Sequence, residues 1–88
     1  MKEIQRKLGL RDSEMSNVLL AFKLIKEKGV FTMEDLRQII EVLPGSLSVL
    51  SKTLDLKVMK TIEQIKLGNV KSNILDKFIV EYKKMLNN

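Results

Sequence analysis

"LSKTLDLK" occupies residues 50–57, and "IQRKLGLR" occupies residues 4–11, forty-six positions earlier. Each octet places an aliphatic residue first, a basic residue third, Leu fifth, a turn-permissive residue sixth (Gly9 or Asp55), Leu seventh and a basic residue eighth. Glycine adopts the left-handed backbone that ends a helix at no steric cost, and aspartate adopts it at some cost. The chain is therefore expected to turn the same kind of corner twice. What lies on either side of each corner decides the fold.

Outward from the corners the apolar spacing is helical. Met15, Val18, Leu19, Phe22 and Ile25 recur at steps of three and four, which places them on one helix face. Asp12 is a suitable N-cap, and Gly29 follows a last turn in which Lys26 and Lys28 suit the negative end of the helix dipole. Leu20, Ala21 and Leu24 widen the apolar surface of this helix beyond one stripe, so it is either central to the fold or turned to a partner. In "FTMEDLRQII", residues 31–40, Thr32 caps, Glu34 and Asp35 occupy the first turn, and Phe31 can staple against Leu36. Pro44-Gly45 stops that helix, and Ser46 is read as the cap of the next.

Helices are expected at 2–8, 13–28, 33–43, 47–54, 57–67 and 70–86. Val30-Phe31 is the only β-like pair and is too short for a strand. The predicted fold is all-α: a compact bundle of five to six short helices, with one or two helix-turn-helix-like corners, in a single domain over 1–88. Leu19, Phe22, Leu36, Ile40, Leu50, Leu54, Ile62, Ile65, Leu75, Phe78 and Ile79 are the expected core.

Composition narrows the function. The 88 residues are 44 % hydrophobic and 31 % charged, as in a folded domain with one modest core. With no cysteine and no histidine, the chain lacks thiolate ligands, the usual imidazole ligand of zinc and the usual general base. No phosphate-binding glycine loop or nucleophile elbow is present. The Glu34-Asp35 pair is explained by a helix start. No enzyme activity, cofactor or metal is expected. No apolar run approaches the roughly 20 residues of a membrane span, and the first residues lead into no signal-peptide stretch. The last helix mixes acids among its lysines and the chain has no tryptophan, which argues against a membrane-surface peptide. A cytoplasmic address is expected.

The net charge of +5 is unevenly placed. Residues 1–44 carry eight basic and seven acidic side chains, whereas residues 45–88 carry eight and four. The second half is thus the side that would attract a polyanion.

The first corner, within "EIQRKLGLRDSEMSNVL", resembles helix-turn-helix DNA-binding proteins. Ile4 and Leu8 stand at first-helix core positions, Gly9 at the turn, Leu10 after it, and Met15 and Val18 in the second-helix core. Its outer face would show Asp12, Ser13, Glu14 and Asn17, and carboxylates repel phosphates, so this copy is read as a structural corner. The second copy, "VLSKTLDLKVMKTIEQIKLGN", has the chemistry for DNA. The family pattern expects apolar residues where Thr61 and Gln64 fall, while Ile62 and Ile65 lie one place later. A turn longer by one residue would restore the register and expose Lys57, Lys60, Thr61, Gln64 and Lys66.

Lysines meet phosphates, and Gln and Thr can bond base edges. No arginine follows Arg37, so the commonest reader of guanine is missing from this half. The resemblance implies a small DNA-binding regulator of transcription, of the kind found on mobile elements or in bacteria. Such a regulator would lay the 56–67 helix on double-stranded DNA as a homodimer, with Lys52, Lys57, Lys60, Thr61, Gln64, Lys66 and Lys71 at the interface. The alternative is a protein-binding module or inhibitor docking on a replication, transcription or regulatory protein. Leu20 and Leu24 would then form the partner interface.

Overall fold

The computed structural model describes residues 1–87. Within them the chain forms six α-helices: α1 (Lys2–Leu8), α2 (Asp12–Lys28), α3 (Met33–Val42), α4 (Ser46–Leu54), α5 (Val58–Lys66) and α6 (Leu75–Leu86). A single 3₁₀ turn, Ser72–Ile74, leads into α6. The fold is all-α, and no strand occurs among the described residues.

The two octets build the same corner. Gly9 stands at φ 66°, its N–H donating to Arg6 O (3.3 Å) and the N–H of Leu10 donating to Gln5 O (3.0 Å). Asp55 stands at φ 56°, its N–H donating to Lys52 O (3.1 Å) and the N–H of Leu56 donating to Ser51 O (2.9 Å). This paired closure behind a left-handed residue satisfies carbonyls that the ending helix leaves open. Two residues on, Arg11 (φ −73°, ψ 158°) and Lys57 (φ −70°, ψ 156°) start the next helices from the same extended conformation. The turns have equal length. The extra residue supposed for the second corner does not exist.

Caps differ in detail from the sequence expectation. The N-cap of α2 is Arg11 rather than Asp12. Glu14 accepts the Arg11 N–H at 2.9 Å, a bond that holds its carboxyl below the usual pKa. Asp12 instead accepts from Gln5 Nε2 at 2.7 Å, across the corner. Thr32 does cap α3: its hydroxyl accepts the Asp35 N–H at 3.2 Å, and the Asp35 carboxylate accepts the Thr32 N–H at 2.9 Å. Asp35 is itself buried, and both its carboxylate oxygens also accept from Lys28 Nζ, at 2.7 and 2.9 Å. Ser46 is inside α4, with Gly45 as N-cap, and its hydroxyl donates back to Leu43 O at 2.6 Å.

Residues 70–71 do not open the last helix as expected. The chain there is extended and pairs once with the α2–α3 link: Phe31 N–H donates to Val70 O (2.8 Å) and Ser72 N–H to Gly29 O (2.9 Å). The β-like pair Val30-Phe31 thus contributes one antiparallel bridge, enough to tie the start of α6 to the end of α2.

One apolar cluster runs from Ile4 to Tyr82 and takes residues from every helix. Phe22 meets Phe78 edge-on with ring centroids 6.3 Å apart, and Phe78 lies 6.0 Å from Tyr82. Fully burying each such side chain stabilises the fold by about 1.5–3 kcal/mol. The Tyr82 hydroxyl donates to Pro44 O at 2.7 Å, which pins α6 to the α3–α4 bend. Phe22, Leu36, Leu50, Ile65, Leu75 and Phe78 are buried as expected, and Leu54, Ile62 and Ile79 are half-buried. Leu19 and Ile40 are exposed instead, because α2 and α3 turn Val18, Ala21 and Ile39 inward toward each other's side.

Candidate functional site

Helix α5 has one buried edge and one free face. Thr61 and Ile65, a turn apart, point into the core. At about 100° per residue, Met59, Lys60, Glu63, Lys66 and Leu67 fall on the opposite side. All five are exposed. Met59 and Leu67 expose 77 % and 62 % of their surface, so two large apolar side chains stand in water at the two ends of this face. They are eight residues apart, roughly 12 Å along the axis. Leu56 and Val58, at the entry to α5, are also exposed.

The residues expected to touch DNA do not share one surface. Lys57, Lys60 and Lys66 are exposed on α5 or at its start, and Lys60 Nζ lies 3.5 Å from Glu63 Oε2. Thr61 is fully buried, its hydroxyl donating to Lys57 O at 3.1 Å, so it cannot read a base edge. The physical reason is the register: with no extra turn residue, Thr61 falls where the helix meets the core, and its bonded hydroxyl lets it serve there as an apolar residue. Gln64 is half-buried and its Oε1 accepts from Asn69 Nδ2 at 3.0 Å. Lys71 Nζ donates to Gly68 O at 3.1 Å, beyond the end of α5. Lys52 belongs to a different surface, a shallow groove between α4 and α6 with Ser48, Glu81 and Met85. The structure therefore gathers three of the named lysines on α5 and separates the others.

Leu20 and Leu24 are exposed on α2, at 54 % and 40 %, with the buried edge of that helix (Val18, Ala21, Phe22, Ile25) behind them. Sequence reasoning singled out the lysines of α5 and passed over Met59 and Leu67. Their signal was present, since Met59, Glu63 and Leu67 recur every four residues on the face opposite Thr61 and Ile65.

Among the described residues no three His, Cys, Asp or Glu side chains converge as metal ligands would. No described helix is long and apolar enough to cross a membrane. A groove of about 510 Å³ has Leu19, Phe22 and Ile79 on its walls and Lys23, Lys26 and Glu27 along α2. The geometry defines an all-α protein with two repeated helix corners and free apolar residues on α2 and α5. No family model, curated protein or solved structure matches the chain.

Proposed function

We propose that this protein is a small helical docking module that presents α5 to a protein partner. The observation that carries the proposal is the exposure of Met59 (77 %) and Leu67 (62 %) on one face of α5, framed by Lys60 and Lys66. Isolated exposed apolar residues are ordinary on soluble proteins. Two at opposite ends of one helix face, with Glu63 between them and lysines at the edges, match how an amphipathic helix engages an apolar groove through spaced anchors. Methionine suits such a contact because its unbranched, polarisable side chain adapts to irregular pockets. The lysines imply a groove with an acidic rim, whose field would speed encounter and fix orientation more than it adds affinity.

A second reading is favoured by the left-handed corner at Asp55 and the exposed lysines Lys57, Lys60 and Lys66. In it α5 lies on duplex DNA and the protein regulates transcription as a dimer. With Thr61 buried and Gln64 held by Asn69, few side chains remain to distinguish bases, so binding would be dominated by phosphates and strongly salt-dependent.

One paired experiment separates the readings. The parent chain is titrated with random duplex DNA at several salt concentrations, beside a variant carrying Met59→Lys and Leu67→Lys. Docking on protein predicts weak DNA retention in the parent, and a stoichiometric complex from its native extract that the double variant fails to form. A steep salt slope in the parent, reduced by about one for each of Lys57→Ala, Lys60→Ala and Lys66→Ala, would sink the docking module and leave DNA binding standing.

A further inference from the structure

The outer face of α2 carries a stripe whose two ends complement each other. Asn17, Leu20, Leu24 and Glu27 fall within an arc of roughly 80°, directed away from the core. All four are exposed. Their spacing is symmetric about the middle of the stripe, and the ends differ in kind: an amide that donates at one end, a carboxylate that accepts at the other. Reversing the stripe therefore sets leucine against leucine and amide against carboxylate. A two-fold contact needs such self-complementarity, since residue i of one copy meets j of the other and j meets i.

We infer that two copies of this chain associate through α2 in antiparallel fashion, each Leu20 packing on the partner copy's Leu24 and each Asn17 amide donating to the partner copy's Glu27. Charge selects the direction. In a parallel pair the two Glu27 carboxylates would stand side by side, whereas the antiparallel pair holds them roughly 15 Å apart, beyond the screening length at physiological salt. Of the cations beside the stripe, Lys28 is already committed to Asp35 at 2.7 Å, whereas the exposed Lys23 stands near the two-fold and its repulsion from the partner copy's Lys23 weakens the contact. Asn17 and Leu20 also border a groove of about 270 Å³ shared with Gln38, Glu41 and Val42 of α3, which gives the second helix a shoulder to rest on.

This contact uses no residue of the α5 face, so it stands or falls independently of the proposed function. Its size makes it weak and concentration-dependent, since a few side chains per copy fall short of a standard interface. Sedimentation equilibrium over a wide concentration range is expected to show a monomer–dimer equilibrium. The pair Leu20→Gln with Leu24→Gln should abolish it while leaving circular dichroism and melting unchanged, because both positions are exposed and glutamine is a good helix former.

Asn17→Lys should tighten the dimer several-fold and Asn17→Asp loosen it several-fold, each change acting twice by symmetry. The chain has no cysteine, so register can be read by trapping. Asn17→Cys together with Glu27→Cys should yield a covalent dimer under a short thiol cross-linker, and either change alone should not. A monomer at every concentration, a dimer that survives the glutamine pair, or equal trapping of the single-cysteine variants would overturn the inference.

Discussion

The α1–α2 corner and the α4–α5 corner share a backbone and differ in almost everything attached to it. Both close with the same two hydrogen bonds behind a left-handed residue. At the first, glycine takes that conformation freely, and Gln5 reaches across to Leu10 O (3.2 Å) and Asp12 (2.7 Å). At the second, Asp55 takes it under strain, and the matching Ser51 is buried with its hydroxyl on Leu47 O (2.9 Å), inside its own helix. Six residues beyond each turn residue lies a buried side chain, Met15 in one case and Thr61 in the other. A helix corner is thus a backbone device that several side-chain sets can satisfy. It says which residue will face inward and says little about what the outward face does.

The largest expected effect tests whether the corners are equally anchored. Ile4 and Leu50 open the two octets and both are fully buried. Helix α4 packs on α3, α5 and α6, whereas α1 packs chiefly on α6. Leu50→Ala is therefore expected to cost about 4 kcal/mol and Ile4→Ala about 2 kcal/mol, read by urea unfolding. Equal costs would mean that α1 is as central as α4.

The tie that holds the second corner's neighbourhood comes next. Tyr82→Phe leaves Pro44 O without its partner and should cost about 1–2 kcal/mol. Burial raises the Tyr82 pKa above its ordinary value of 10.0, so the hydroxyl keeps its proton in the folded state where the unfolded chain has lost it. Its contribution is fully present below about pH 10 and lost as pH rises through the higher folded pKa. Alkaline melting curves should thus show the parent losing stability faster than Tyr82→Phe; parallel curves would contradict the burial.

The turn residues offer a smaller, reciprocal test. Asp55→Gly should stabilise by about 0.5–1 kcal/mol through relief of the left-handed strain, and Gly9→Ala should destabilise by about 1 kcal/mol. A Cβ at position 9 meets no atom within 4 Å, so backbone strain alone is at stake there. Thermal melts that move in the same direction for both changes would show that the corners are not equivalent. Smallest of all is Thr61→Val, which preserves shape and removes a hydroxyl bonded only within its own helix. Its stability should shift by less than about 1 kcal/mol, and binding of any kind through α5 should be unchanged. A loss of DNA affinity would return Thr61 to the surface.

The corners were legible because they are local: the octet pattern, the turn residue and the caps act within a few residues of one another. Helix existence was legible for the same reason, as the three- and four-residue recurrence of Met15, Val18, Phe22 and Ile25 shows. The candidate surface was legible only in part. Leu20 and Leu24 were visible as a surplus beyond one stripe, whereas Thr61 was assigned outward because Ile62 and Ile65 look like the stronger apolar pair. A buried threonine whose hydroxyl returns to its own helix gives no hydropathic signal.

The amino-acid sequence alone determined the all-α class, the six helices, the places of the two corners and the excess of positive charge in the second half. These follow from short-range sterics, apolar period and composition. Only the tertiary structure decided how each helix is rotated about its axis. That rotation put Thr61 in, left Leu19, Ile40, Met59 and Leu67 out, and buried Asp35 against Lys28. The reason is physical: a helix of 3.6 residues per turn offers several apolar arcs of similar merit, and packing against neighbours far along the chain selects one.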